Sequence, residues 1–185
     1  MIISEHGLVM FDEYYSTSNV SSVSLDICEA PQNRTTAVSM VQGTIAPLTD
    51  NVTCKVEFQD PSGNDFTDIS FRAMNSGTTS VQSSNSTSSG AAMHYWYHGN
   101  NSSTSSQSGE RLNFIMWVNV QRHGTPYKDI SAWGLCSNDS TGGNHHTGIF
   151  SMRSNVSTDI GKLKFTATSG NIRAYITSWL LLAED

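Results

Sequence analysis

Apolar and polar side chains alternate along most of this chain with a period of two. That spacing puts one set of side chains on each face of a β-strand. The cleanest instance is Val52, Cys54, Val56 and Phe58, interleaved with Thr53, Lys55 and Glu57. Leu163, Phe165 and Ala167 repeat it. Residues 111–120 differ, with Leu112, Phe114, Met116 and Val118 on one face and Ile115 and Trp117 on the other. A strand that is apolar on both faces is a central strand covered on both sides, or one at an interface. Further strands are expected at 22–29, 35–45, 66–72, 91–97, 128–136, 147–153 and 171–182. Turn clusters separate them, among them Asp60-Pro61-Ser62-Gly63-Asn64 and Asn138-Asp139-Ser140-Thr141-Gly142-Gly143. No stretch keeps a helical period beyond two turns. The pattern predicts an all-β fold of about ten strands, an antiparallel β-sandwich that is jelly-roll-like.

Three segments depart from this rhythm. Residues 75–90 and 99–109 are almost free of apolar side chains and flank the aromatic strand Ala91-Ala92-Met93-His94-Tyr95-Trp96-Tyr97-His98. They read as two long exposed loops around one packed strand. The third is the N-terminal stretch over residues 1–20, an arm or docking segment ahead of a single β-sandwich domain at 21–185. Its residues 2–15 are too apolar to be left in solvent, so it docks on its own domain or on a neighbouring subunit.

Composition sharpens the picture. Of 185 residues, Ser (29), Thr (18), Asn (14) and Gly (14) make up 75, while only 14% are charged. An ordinary soluble domain carries about 25% charged residues, so polarity here comes from hydroxyls and amides. The net charge of −6 argues against a nucleic-acid partner, because phosphate binding relies on Lys and Arg. No apolar run approaches the ~20 residues of a membrane helix, and no membrane partner is expected. The N-terminus lacks the basic region of a signal peptide, which points to folding in a cytoplasm. Three widely spaced cysteines, Cys28, Cys54 and Cys136, read as buried thiols, with one disulfide as the alternative. The eight Asn-x-Ser/Thr sequons follow from the Ser/Thr-rich loops and are not read as glycosylated.

Catalytic signatures are missing: the sequence has no Walker loop, GxGxxG, GxSxG or HExxH. His94 and His98 would lie about 13 Å apart on a strand, too far to share a metal. His145 and His146 have no evident third ligand. The acidic turn Asp60, Asn64, Asp65 and Asp68 fits no EF-hand spacing and reads as a solvated hairpin. No cofactor, no metal and no enzymatic activity are expected. The densest aromatic cluster, Tyr95, Trp96 and Tyr97, would turn one face to the core, with the other buried too in the sandwich or a trimer interface, or else offered to a glycan or a partner protein.

Three segments resemble small bacteriophage virion surface proteins of the marine and cyanophage decoration, head-fibre or tail-fibre type. The first combines Ser21–Ile27 with Pro47, Thr49, Asp50, the strand to Phe58, and Ser62-Gly63. The second is Ile130 to Ile149 around a Gly-rich loop. The third is the closing strand, Ser169-Gly170-Asn171 turn, strand. The C-terminal residues Ala174–Asp185 depart from the pattern of that group. The resemblance implies a non-enzymatic virion protein assembled in the host cytoplasm. The favoured form is a capsid decoration or cement protein on the phage head, and the alternative is a tail-fibre or receptor-binding module contacting host glycan. It also implies a homo-oligomer, a trimer, in contact with the major capsid protein or other virion proteins. The apolar residues beyond the needs of a sandwich collect at the chain ends. Ile2, Ile3, Leu8, Val9, Met10, Phe11, Trp179, Leu180, Leu181 and Leu182 are therefore the expected partner interface.

Overall fold

The computed structural model describes residues 7–16, 18–27, 36–48, 53–67, 69–75, 81–86, 91–95, 111–123, 127–139, 145–156 and 159–182. These residues form twelve strands. In chain order they are β1 (Gly7–Tyr15), β2 (Ser22–Asp26), β3 (Thr36–Pro47), β4 (Thr53–Gln59), β5 (Ile69–Asn75) and β6 (Val81–Ser86). Then come β7 (Ala91–Tyr95), β8 (Arg111–His123), β9 (Tyr127–Asp139), β10 (His145–Val156), β11 (Lys162–Ala167) and β12 (Ile172–Leu182). All ladders are antiparallel.

The strands make two sheets. The large one has eight strands in the order β1-β12-β3-β8-β9-β10-β5-β6, and the small one has four, β2-β11-β4-β7. The chain crosses from sheet to sheet at β1, β2, β3 and β4, and again at β7, β8, β11 and β12. The quartets β1-β12-β3-β8 and β2-β11-β4-β7 are the two sheets of a jelly roll. The hairpins β5-β6 and β9-β10 are insertions that widen only the large sheet.

The core lies between the sheets. Val41, Ile45, Leu112, Met116, Ile130, Phe150 and Ile176 face inward from the large sheet, and Leu25, Val56, Phe58, Leu163 and Phe165 from the small one. Phe114 and Phe165 meet across the gap with ring centroids 5.3 Å apart. Polar side chains tie the layers at one margin. Ser178 Oγ donates to the Asp26 carbonyl at 2.8 Å, and the Asp26 amide donates to Asp12 Oδ2 at 2.8 Å.

The ten strands read from periodicity are all present, and two others join them. Val81–Ser86, within the segment expected to be a loop, pairs with β5. Residues 7–15 of the expected arm pair with β12 and form one edge of the large sheet.

Candidate functional site

A sandwich leaves two outer faces, and here they differ in kind. The small sheet's outer face is polar by register. One cross-strand row is Asp26, Lys162 and Gln59, and the next is Ser24, Lys164 and Glu57. Lys164 Nζ lies 2.8 Å from Glu57 Oε2 and 2.8 Å from Asp65 Oδ2. Lys162 pairs with Asp26 at 3.4 Å, and Ser24 Oγ donates to Gln59 Oε1 at 2.9 Å. Burial alone would lower the Lys164 pKa, but Asp65 and Glu57 together outweigh it and raise the pKa. The charges of this face pair with one another, although Glu57 Oε2 is buried beside Lys164 without hydrogen-bond geometry.

The large sheet's outer face carries an apolar patch among polar positions such as Gln42, Asn113, Ser131, Ser151 and Arg153. Register places Met10, Trp179, Met40, Trp117 and Trp133 side by side on five adjacent strands. A second row, one step along, aligns Ile115, Leu135 and Ile149. Trp117 and Trp133 are stacked, with centroids 4.4 Å apart and planes at 20°. Trp179 Nε1 donates to Thr177 Oγ1 at 3.0 Å, which covers that hydroxyl. At the β1 side, Tyr15 and Tyr175 meet edge to face at 6.0 Å. The Tyr175 hydroxyl donates to the Glu13 carboxylate, and that bond raises its pKa.

The exposure is large for such side chains. Met10, Trp133, Leu135, Ile149 and Leu181 are 45% to 51% exposed. All of them, with Tyr15 and Tyr175, lie on this one face by register. No described charged residue enters the two central rows between β12 and β10. Asn119 Oδ1, one step from Trp117 on the same face of β8, is buried and accepts no hydrogen bond from a described donor. Large exposed apolar patches on soluble proteins mark interaction surfaces.

The residues expected to form the interface fall in different places. Leu8 to Met10 pair with Leu181 to Trp179, so the two chain ends form one ladder. Met10 and Leu181 turn outward, Val9 and Leu180 stand opposite each other on the inner side, and Trp179 is half-buried. Phe11 sits at a bulge between Met10 and Asp12 and is exposed. Leu8 and Leu182 are placed by backbone only, and Ile2 and Ile3 lie outside the described residues. So do Trp96 and Tyr97, while Tyr95 is placed by backbone at the end of β7.

Sequence reasoning missed the centre of the patch: Trp133, Leu135 and Ile149. The signal was available, because each alternates with inward positions in an expected strand.

The other candidates resolve into structure. In the acidic turn, Asp60 accepts from the Asn64 backbone at 2.9 Å and side chain at 2.7 Å. Those bonds hold the Asp60 carboxyl below its ordinary pKa, the Asn64 side-chain bond first. Gly63 takes the left-handed φ of 90° that closes this turn. Asp68, His98 and Cys28 lie outside the described residues, and His94, His145 and His146 are placed by backbone only. Among the described residues no cluster of His, Cys, Asp or Glu could hold a metal ion. Cys54 and Cys136 are buried thiols, and burial pushes Cys136 up to about 12. No protein-family model matches the chain, and no curated protein matches it significantly.

Proposed function

We propose that this chain is a non-enzymatic structural protein of a bacteriophage virion, decorating and cementing the capsid surface. The observation that carries the reading is the contrast between the two outer faces. One is charged, with its ions paired to one another, while the other presents half-exposed tryptophan, leucine, isoleucine and methionine. Apolar surface of that extent is stabilised by leaving water, which a component of a larger assembly does and an isolated domain does not. The likeness of its turn pattern to small phage virion proteins points the same way. The jelly roll, a form that viral coats also use, adds only the weight of a fold analogy.

The test is cosedimentation of the full chain with empty capsids, followed by immunogold labelling of virions. Saturable binding and label on the head are expected. Failure to bind capsids sinks the proposal, and label confined to the tail replaces it with the receptor-binding reading. Residues 1–15 should not be deleted for this purpose, because β1 is part of the large sheet.

A further inference from the structure

We infer that the outer face of the large sheet, through its apolar patch, packs against the same face of a second copy of this chain. The inference rests on the assembly reading and names the partner of that face.

Area is the first argument. Seven large side chains, about half exposed, lie on this face. At on the order of 100 Å² each they present roughly 700 Å². Ile115, Trp117, Met40 and Trp179, partly exposed, add to that. A standard interface buries about 800 Å² per partner, so the patch comes close to what a stable dimer needs, with the polar positions around it completing the footprint.

Chemistry is the second. Between β12 and β10 the central rows carry no described charge, and the charges at their margins, Glu13 on β1 and Arg153 on β10, are of opposite sign and can pair across a two-fold interface. The small sheet's face, with Lys162, Lys164, Glu57 and Asp26, would have to desolvate ions to do the same. The aliphatic Leu135 and Ile149 beside the tryptophan stack also favour protein over sugar, which needs ring faces and hydrogen-bonding groups.

Geometry is the third. A broad sheet face packs well on another sheet, about 10 Å away. The β1 edge is less suited to strand addition, because the bulge at Phe11 interrupts its register. A face that meets its own copy is isologous and closes at two. The resulting unit is a dimer rather than the trimer expected from the resemblance.

The test is sedimentation equilibrium of the full chain over a dilution series, with Trp133→Lys plus Leu135→Lys as the variant and Thr67→Lys as a control. The wild type should be a dimer at micromolar concentration, with tryptophan emission shifting red as it dissociates. Each substitution enters the two-fold interface twice, so the variant should dissociate at least about 100-fold more readily. Its circular dichroism and urea midpoint as a monomer should match those of the diluted wild type, since both sites are half-exposed. The control should stay dimeric.

A wild type that is monomeric at high micromolar concentration, or trimeric, overturns the inference. So does a folded variant that remains dimeric, or a monomer whose tryptophan emission responds only to added host polysaccharide. A monomer that still coats capsids refutes the dimer and leaves the proposed function standing. A dimer that ignores capsids does the reverse.

Discussion

Replacing Lys164 by methionine separates two views of the small sheet's ion cluster: a surface ornament, or compensation for a buried charge. Lys164 Nζ lies 2.8 Å from Glu57 Oε2 and 2.8 Å from Asp65 Oδ2. The Glu57 side chain is only 7% exposed, against 22% for Lys164. Glu57 has therefore given up most of its hydration, and the ammonium replaces it. Methionine keeps most of the stem's volume and removes the charge. Stranding one partner of a fully buried pair costs about 3–5 kcal/mol, whereas an exposed pair is worth about 0–1 kcal/mol. The partial burial here places the expected loss at about 2–3 kcal/mol. For a chain of 185 residues that lowers Tm by roughly 4–12 °C. Urea titration followed by circular dichroism measures the free energy. Adding Glu57→Gln to Lys164→Met removes the stranded charge and should recover about 1 kcal/mol or more. The reasoning fails if Lys164→Met lies within about 0.5 kcal/mol of the parent. It also fails if the double variant is less stable than the single one.

Three further predictions follow from the same geometry. The Lys164 pKa is raised above its ordinary 10.5, so its contribution to stability is fully present below that value and is lost as pH rises through the folded-state value. Urea midpoints at alkaline pH should fall more steeply for the wild type than for Lys164→Met, and parallel curves would contradict the assignment. A Cβ at Gly134 would stand 2.5 Å from the Ile115 carbonyl oxygen and 2.6 Å from Phe150 Cζ. Gly134→Ala should therefore cost about 1–3 kcal/mol, and an unchanged melting temperature would show that β9 can move aside. Cys136 is buried with its thiol pushed up to about 12, so iodoacetamide at mildly alkaline pH should label it only after unfolding, as read by peptide mass. Rapid labelling of the native protein would overturn that placement.

Much of this protein is written in its local pattern. Alternation of Cys54, Val56 and Phe58, and of Leu163 and Phe165, predicts strands and their inward faces, and all of these side chains are fully buried. The two-sided apolar run at residues 111–120 identified β8 as central or interfacial, and it lies in the middle of the large sheet with Ile115 and Trp117 facing outward. The two strands not read from periodicity, β1 and β6, are the two edges of the large sheet. An edge strand packs against a neighbour on one side only, so little in its own sequence demands alternation. The Ser-rich Val81–Ser86 is held in the sheet by its pairing with β5.

The candidate site was legible only in fragments. Met10, Trp179, Trp117 and Trp133 are dispersed along the chain, and each alone is an unremarkable exposed or half-buried residue. Alternation along one strand says which side chains share a face. It says nothing about which strands lie side by side or in what register. Those are decided by cross-strand pairing and by closing two sheets over a shared core, both of which depend on contacts between distant residues. A charge-poor, all-β protein with core positions at every second residue is legible in the sequence alone. The packed fold alone settled that Leu8–Met10 and Trp179–Leu181 pair in one ladder. It also decided that apolar side chains from six strands of the large sheet come to share one outer face.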